Sequence, residues 1–166
     1  MKSLFLLRHA KSSWSNPLLD DQQRPLNKRG KRDAPLMGER FKARNENLDL
    51  VLASPALRAI MTAELFADAS GFPLEKIEEE SSLYFSGAGS IQNILTNQDD
   101  RIQSLMLVFH NPDITSFVNS IDVGNRISNI PTCGMVKFIS EINLWRDWSR
   151  ANTVFEYFDY PKKITS

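Results

Sequence analysis

The sequence has very little cysteine and histidine, and it has no excess of charge of either sign. Its 166 residues include one cysteine, Cys133, so an internal disulfide is impossible, as is common in proteins of reducing compartments. Lysine plus arginine number 20 and aspartate plus glutamate also number 20, so the basic excess typical of nucleic-acid-binding proteins is missing. Any anion site must therefore be a local group of cations.

Long hydrophobic runs are also missing. The apolar run from Leu4 to Leu7 is too short to be the core of a signal peptide. No stretch approaches the roughly 18 apolar residues that a membrane-spanning helix needs. These absences predict a cytoplasmic protein whose partners include neither nucleic acid nor a membrane.

Several common phosphate and metal motifs are absent as well. The chain has no GxxxxGK(S/T) loop, which excludes a P-loop nucleotide site. Cys133 is followed by GMVKFISEI, without the arginine that a cysteine phosphatase needs, so we expect this residue to fill space in the core. The two histidines, His9 and His110, lack the HxH or HExxH spacing of a metal site. We therefore predict no metal and no cofactor.

What the chain does contain is an alternation of buried-strand and helix patterns. Strands are predicted at residues 3–7, 48–53, 76–79, 104–109, 136–142 and 153–158. Helices are predicted from Asn27 or Asp33 to about Asn45, from Ser54-Pro55 to Gly71 with Ser54 as the cap, over residues 90–97, and after a cap at Asp113. This alternation predicts an α/β layered fold with a mainly parallel sheet.

The organisation of the chain is simple. We expect residues 1–160 to form a single domain, because no linker or repeat interrupts them, and residues 161–166 to be a frayed tail. The polar segment 11–24 is predicted to be a long loop, and such loops are often functional. Trp14 lies within this loop, and we expect it either to pack against the fold or to contact a substrate.

Three predicted strand ends carry side chains that indicate a functional site. Arg8-His9, Ser54 to Arg58, and His110 each follow a buried strand, and parallel strands place such ends at the ligand-binding edge of a sheet. Arginine binds phosphate oxygens through two hydrogen bonds, and neutral imidazole, with an ordinary pKa of about 6.5, is a nucleophile near neutral pH. Each residue alone is an ordinary strand end or surface cation, but together they predict a phosphoryl site.

The same residues match the signatures of a known family. Leu6 to Ala10 resembles the Arg-His-Gly signature of the histidine phosphatase superfamily, which includes the phosphoglycerate mutases. SPALRA at 54–59, with Thr62-Ala63, resembles the second signature, and LVFHNP at 107–112 resembles the third. The segments RHAKSSW and RPLNKRG, together with the short chain, resemble the SixA-type phosphohistidine phosphatases of this family.

This resemblance implies a three-layer αβα fold of the phosphoglycerate mutase type and a metal-independent phosphatase. It implies that His9 attacks phosphorus and becomes phosphohistidine. It also implies that Arg8, Arg58 and His110 bind the phosphoryl oxygens and stabilise the transition state, after which water hydrolyses the phospho-enzyme. The implied substrate is a phosphohistidine-bearing protein.

The chain departs from the pattern of the family in two places. Ala10 replaces a glycine, which predicts ordinary backbone dihedral angles there. Larger relatives carry a proton-donating glutamate in the region that here is SLYFSG, at 82–87, without a carboxylate. Asp20 or Asp21 is a candidate general acid, although each could serve a turn instead. A missing acid suits phosphohistidine, because its ring nitrogen leaves more readily than an alkoxide does.

Other functions fit the same residues. A general phosphomonoesterase would act on small phosphate esters, and a catalytically silent module would bind phosphate or phosphorylated proteins without turnover. A mutase needs an enclosed site with a second phosphate position, and histidine acid phosphatases are secreted and rich in disulfides, so both fit this chain less well. The expected partner is therefore a phosphorylated protein or a small phosphate ester, and substrate preference separates the two enzyme interpretations.

Overall fold

Six β-strands and four α-helices alternate along residues 1–121, 124 and 126–164, the part of the chain that the structure, a computed structural model, describes. The strands are β1 (Lys2–Arg8), β2 (Leu50–Ala53), β3 (Ile77–Glu79), β4 (Ser104–Phe109), β5 (Met135–Ser140) and β6 (Thr153–Asp159). The helices are α1 (Lys28–Ala43), α2 (Leu57–Ser70), α3 (Ala88–Thr96) and α4 (Asp113–Ile121). A short 3-10 helix, Asp21–Gln23, lies in the loop that precedes α1.

The order of the sheet brings β1 and β4 together at its centre. The strands lie in the order β3-β2-β4-β1-β5-β6; the first four run parallel, whereas β5 pairs antiparallel with both β1 and β6. Arg8 lies opposite Phe109, and the backbone N–H of His9 donates to the Phe109 carbonyl at 3.1 Å. His9 and His110 therefore follow adjacent strand ends, and the predicted mainly parallel sheet is confirmed.

Helices cover both faces of the sheet. Along β1, Leu4 and Leu6 join a buried cluster with residues of α3 and α4, whereas Phe5 and Leu7 join a second cluster with residues of α1 and α2. A strand that is buried on both faces is apolar at successive positions, which is why this run shows no alternation. The predicted three-layer αβα arrangement is confirmed. No helix in the described ranges is long and apolar enough to cross a membrane.

Helix α1 fixes the loop that follows β1. Of the two predicted starts the structure has the earlier one, because the Asn27 side chain accepts a hydrogen bond from the Gly30 N–H at 2.9 Å, and the helix continues through Pro35. The backbone N–H of Asn27 donates to the Lys11 carbonyl at 3.0 Å. A Cβ at Gly30 would lie 2.3 Å from that carbonyl oxygen, so this close approach requires glycine. Helix α1 therefore holds the segment that follows His9.

Two helices begin differently from the prediction. Ser54-Pro55 does not start α2, whose cap is Ala56, without a side-chain cap bond. The Ser54 hydroxyl lies instead 2.7 Å from Nε2 of His110, a tertiary contact that the local pattern does not reveal. Asp113 is the first residue of α4 rather than its cap, and its carboxylate accepts a hydrogen bond from the Gly87 N–H at 3.0 Å. Both side chains therefore serve contacts between elements.

The C-terminal segment is tied to α1. Arg40 donates to the carbonyl of Tyr160 at 2.8 Å and to that of Pro161 at 2.9 Å. It also contacts the buried carboxylate of Asp159 at 3.1 Å. The first residue of the predicted tail, 161–166, thus has a defined partner. Residues 165 and 166 of that tail lie outside the described residues, and the single domain over 1–160 stays a prediction.

Candidate active site

A cavity of about 310 Å³ lies at the ends of β1 and β4, beside the segment that follows β2. The four residues that the sequence predicts for phosphoryl binding all line it: Arg8, His9, Arg58 and His110. Its other lining residues include Lys11, Trp14, Asp21, Arg24, Phe85 and Asn111. The structure therefore brings the predicted cations and imidazoles into one cavity at the predicted edge of the sheet.

His9 is held with one ring nitrogen bound and the other free to react. Its Nδ1 lies 2.7 Å from the Ala10 carbonyl oxygen, and because a carbonyl only accepts, Nδ1 carries the proton and Nε2 carries the lone pair. Burial lowers the pKa of His9 to about 3 against the opposing effect of the Ala10 hydrogen bond, and the charges of His110, Arg58 and Arg8 lower it further. His9 is therefore neutral near pH 7, as a nucleophile must be.

Ala10 has ordinary backbone geometry, as predicted, since it is not among the described residues with a positive φ. Its N–H donates to the Thr62 hydroxyl at 2.9 Å, and that hydroxyl donates to the Arg58 carbonyl at 2.7 Å. Thr62 belongs to the second sequence signature, so this pair of bonds joins the first signature to the second. The backbone of Ala10, whose carbonyl orients His9, is thereby held against α2.

His110 lies beside His9, with 5.1 Å between the ring centroids. Nε2 of His110 lies 2.7 Å from the Ser54 hydroxyl, and its buried Nδ1 has no hydrogen-bond partner among the described residues. When the Ser54 hydroxyl donates to Nε2, Nδ1 carries the proton and can donate to a ligand. Burial, and then the charge of Arg58, lowers the pKa of His110 to about 3, so this ring is also neutral near pH 7.

The two arginines are anchored through some of their nitrogens and leave others without partners. Nη1 of Arg8 donates to the Ile130 carbonyl at 2.9 Å, and burial lowers the pKa of Arg8 from its usual range. Arg58, which is almost fully buried, donates to the Asp21 carbonyl and carboxylate at 2.6 and 2.9 Å. The buried Nε atoms of both arginines have no hydrogen-bond partner among the described residues. Together with His110 Nδ1, they are buried, unsatisfied donors on three residues that line the cavity.

The two candidate acids occupy different places. Asp20 accepts a hydrogen bond from the Gln23 N–H at 3.1 Å as the cap of the 3-10 helix, and it is not a residue of the cavity lining. Asp21 does line the cavity, where partial burial acts to raise its pKa but hydrogen bonds from Tyr84 and Arg58 outweigh burial and hold the pKa at about 2. Asp21 is therefore an ionised acceptor near pH 7, and this geometry does not favour the predicted role of proton donor.

Two aromatic residues lie at the edge of the cavity. Trp14 is 73% exposed, so it is not a core residue. The guanidinium carbon of Arg24 lies 3.5 Å from the centroid of the Trp14 ring. The Phe85 ring stacks on His110 at 4.7 Å between centroids and remains 47% exposed. The sequence left Trp14 open between packing and substrate contact, and it did not indicate Phe85, because nothing in the local pattern indicates a stacking partner from another part of the chain.

No group of three or more histidine, cysteine or acidic side chains within the described ranges is arranged to hold a metal ion. Cys133 is buried, as expected, and burial raises the pKa of its thiol well above its usual range. Its backbone N–H donates to the His9 carbonyl at 3.0 Å, so it supports the site through the backbone.

A family model and proteins of known sequence match this chain. The model of the histidine phosphatase superfamily (branch 1) matches residues 4–86. An uncharacterised protein of Mycobacterium tuberculosis is 32% identical over 139 residues, which cover 78% of this chain and 84% of that protein. An uncharacterised chloroplastic protein of Arabidopsis thaliana is 30% identical over 118 residues, which cover 70% of this chain and 52% of that protein. This chain therefore spans about half the length of the Arabidopsis protein.

Solved structures match over nearly the whole chain. The protein histidine phosphatase SixA complexed with tungstate has a TM-score of 0.80 at 23% identity, over 96% of this chain and 97% of that one. A protein of Agrobacterium tumefaciens assigned as a phosphohistidine phosphatase SixA has a TM-score of 0.80 at 25% identity, over 96% and 99%. A phosphoglycerate mutase of Bacillus anthracis has a TM-score of 0.65 at 14% identity, over 93% and 91%. The predicted SixA-type resemblance and phosphoglycerate mutase-like fold are confirmed.

Proposed function

This chain belongs to the histidine phosphatase superfamily, and we propose that it is a phosphatase that forms a phosphohistidine on His9. The observation that carries the proposal is the state of the His9 ring. Its Nδ1 is bound to the Ala10 carbonyl, so Nε2 keeps a free lone pair in a cavity that Arg8, Arg58 and His110 also line. A neutral nucleophile beside unsatisfied donors is the arrangement that phosphoryl transfer requires.

In the first step, the lone pair of His9 Nε2 forms a bond to phosphorus. The bond between phosphorus and the leaving group breaks, and its electron pair goes to the leaving group. Arg8 Nε, Arg58 Nε and His110 Nδ1 donate hydrogen bonds to the phosphoryl oxygens. Because these donors are already fixed in place, they stabilise the transition state without reorganising.

In the second step, a water molecule attacks the phosphorus of phospho-His9. The bond between phosphorus and Nε2 breaks, its electron pair returns to Nε2, and a proton of the water passes to the released phosphate. Inorganic phosphate then leaves, and His9 is neutral again. The same three donors serve both steps, because the phosphoryl group stays at one position throughout.

We propose a phosphohistidine-bearing protein as the substrate. An alkoxide leaving group needs a proton from the enzyme, and near pH 7 the ionised Asp21 has none to give. An imidazole leaves as a neutral molecule when its second nitrogen is already protonated, so it needs no such donor. The exposed rings of Trp14 and Phe85 at the cavity edge also suit a protein surface better than a sugar phosphate.

We also propose that the enzyme needs no metal ion and works in the cytoplasm. The side chains of Arg8, Lys11, Arg24 and Arg58 line the cavity and supply the positive charge that metal ions supply in other phosphatases. Activity is therefore expected to survive treatment with EDTA. The single cysteine, Cys133, which is a buried free thiol, suits a reducing compartment.

The test is phosphate release from a histidine-phosphorylated protein and from glycerol phosphate, measured for the wild type and for His9→Ala. We expect the wild type to act on the phosphohistidine protein with the higher kcat/KM, and His9→Ala to lose activity on both substrates. Removing one fixed donor, as in Arg8→Ala, is expected to lower kcat on the order of 10²–10³.

Other outcomes would change the assignment. A preference for glycerol phosphate would make the protein a small-molecule phosphomonoesterase. Binding of inorganic phosphate without turnover of either substrate would make it a phosphate-binding module and would contradict the role given to His9.

A further inference from the structure

The carboxylate of Asp21 is held at the cavity by three other side chains. Its Oδ2 accepts hydrogen bonds from Arg58 Nη2 at 2.9 Å and from the Tyr84 hydroxyl at 2.5 Å. Its Oδ1 contacts Nη2 and Nε of Arg24 at 3.2 and 3.4 Å. Four contacts from three side chains, of which Arg58 and Tyr84 are far away in the chain, fix the position of this carboxylate.

Asp21 can accept a hydrogen bond from a ligand at Oδ1. A carboxylate offers about four acceptor positions. Oδ2 has two donors, whereas the two contacts on Oδ1, both from Arg24, are the longer ones, and the side chain is 42% exposed. A ligand N–H can therefore replace the longer Arg24 contact on Oδ1, on a residue that lines the cavity.

The position of Asp21 relative to the phosphoryl group follows from Arg58. This guanidinium gives both Nη atoms to Asp21 and leaves Nε for a phosphoryl oxygen. In the proposed complex one guanidinium group therefore lies between the carboxylate and the phosphoryl oxygens. Because four cations, Arg8, Lys11, Arg24 and Arg58, line the same cavity, Asp21 offers a leaving group a hydrogen-bond acceptor rather than a net negative charge.

Phe85 supplies an aromatic surface at the same cavity. Its φ is 52°, in the left-handed region that non-glycine residues rarely adopt, and such backbone strain is concentrated at functional sites. Its ring stacks on His110 with 24° between the planes and is 47% exposed. An exposed ring held in a strained conformation beside the phosphoryl site offers a packing surface for a planar leaving group.

We propose that Asp21 and Phe85 form a leaving-group subsite for the imidazole ring of the substrate phosphohistidine. Phe85 packs against the ring, and Asp21 Oδ1 accepts a hydrogen bond from the ring N–H. This inference rests on the proposed function and adds to it the residues that select the leaving group.

The subsite explains how the reaction proceeds without a proton donor. In the ring-protonated form of the substrate, the form that can donate to Asp21, one nitrogen is bonded to phosphorus and the other to hydrogen, so the ring is formally cationic. When His9 Nε2 bonds to phosphorus, the phosphorus–nitrogen bond of the substrate breaks and its electron pair returns to the ring. The ring then leaves as neutral imidazole with its N–H still donated to Asp21, and no proton is transferred from the enzyme.

The test deletes the same hydrogen bond from the enzyme and from the substrate. The enzyme variants are Asp21→Asn and, as a matched control, Asp20→Asn, whose side chain caps the same 3-10 helix outside the cavity lining. The probes are N-phosphoimidazole, its N-methyl derivative without the ring N–H, and p-nitrophenyl phosphate. Each kcat/KM is divided by the rate of uncatalysed hydrolysis of the same probe, which removes their different intrinsic reactivities.

We expect Asp21→Asn to lower kcat/KM for N-phosphoimidazole by roughly 10- to 100-fold, the range for a hydrogen bond to a charged group. Because Asp21 also holds Arg58, Asp21→Asn is expected to lower kcat/KM for every probe, so the readout is the ratio of kcat/KM for N-phosphoimidazole to that for the methylated probe. This ratio is expected to fall by about tenfold or more, since only N-phosphoimidazole donates to Asp21. Asp20→Asn is expected to match the wild type on all probes. If Asp21→Asn does not fold, the preference of the wild type for N-phosphoimidazole over the methylated probe, by at least about tenfold, tests the same contact.

An equal loss on all three probes would overturn the inference, because it would mean that Asp21 only positions Arg58 and the loop. The proposed function would stand in that case. A wild type that hydrolyses p-nitrophenyl phosphate but neither N-phosphoimidazole nor a histidine-phosphorylated protein would instead overturn the proposed substrate, and the subsite with it.

Discussion

The Ser54 hydroxyl lies 2.7 Å from Nε2 of His110, and this contact joins the segment after β2 to the end of β4. Ser54 is fully buried, and the backbone bond from its N–H to the Val108 carbonyl, at 2.9 Å, fixes it to the same strand. The hydroxyl therefore determines which nitrogen of the His110 ring faces Ser54 and which one is left for the phosphoryl group.

Replacing Ser54 by alanine tests this orientation. Ser54→Ala leaves His110 Nε2 without its partner, so the ring is expected to populate the tautomer in which Nδ1 has no proton to donate. We expect kcat to fall by about 3- to 10-fold, as the loss of one neutral hydrogen bond predicts, and the ¹⁵N chemical shifts of the ring to change. Ser70→Ala, at the far end of α2, is the control and is expected to match the wild type. An unchanged tautomer in Ser54→Ala would show that the contact has no orienting role.

Burial of the two histidines predicts a dependence of stability on pH. The pKa values of His9 and His110 are both lowered to about 3 in the folded protein, whereas an unfolded histidine has a pKa of about 6.5. Between these values the unfolded chain binds more protons, so the free energy of unfolding falls as pH falls below about 6.5. Each histidine contributes at most about 1.4 kcal/mol per pH unit.

The measurement is urea denaturation between pH 7 and pH 5. His110→Asn is expected to have a smaller slope of unfolding free energy against pH than the wild type does, because it removes one of the two titrating groups. Equal slopes in the two proteins would contradict the lowered pKa of His110.

Gly30 tests how α1 supports the site. A methyl group there would lie 2.3 Å from the Lys11 carbonyl oxygen, which is backbone and cannot move aside alone. We expect Gly30→Ala to lower the free energy of unfolding by about 1–3 kcal/mol and to reduce activity by shifting the segment after His9. Gly89→Ala, in α3 with open space around the added methyl group, is the control. It is expected to raise the free energy of unfolding by about 0.5–1 kcal/mol. Similar effects of the two substitutions would rule out the close contact as the cause.

Phe85 tests the aromatic part of the leaving-group subsite. Phe85→Leu keeps an apolar side chain but removes the ring, so packing against planar leaving groups is expected to weaken by about 3- to 10-fold. The readout is the ratio of kcat/KM for p-nitrophenyl phosphate to that for glycerol phosphate, because loss of the stack on His110 would lower both equally. A ratio that stays at the wild-type value would remove Phe85 from the subsite.

Much of the fold could be predicted from the sequence, because the central strands carry continuous apolar runs. Leu4 to Leu7 and residues 104–109 are buried on both sides, and no other structure suits such runs so well. Once these strands are parallel, the residues that follow them, His9 and His110, must meet at one edge. The convergence of the cavity residues was therefore predictable from the pattern alone.

The details that the sequence did not predict all depend on contacts between distant segments. The predicted start of α2 was wrong, because the Ser54 hydroxyl contacts His110 instead of capping the helix. Asp21 is a candidate acid from its place in the sequence, but hydrogen bonds from Tyr84 and Arg58, which are far away in the chain, outweigh the effect of burial and lower its pKa. Local propensity contains no information about such partners, and it contains none about the stack of Phe85 on His110.

The most direct test of the central claim is to trap the phospho-enzyme. The protein is mixed with a ³²P-labelled histidine-phosphorylated protein, quenched within milliseconds, digested under alkaline conditions and mapped. We predict alkali-stable, acid-labile label on His9 in the wild type, slower labelling of the same residue in His110→Ala, and no label in His9→Ala. Label on any other residue, or phosphate release by His9→Ala at the wild-type rate, would contradict the account.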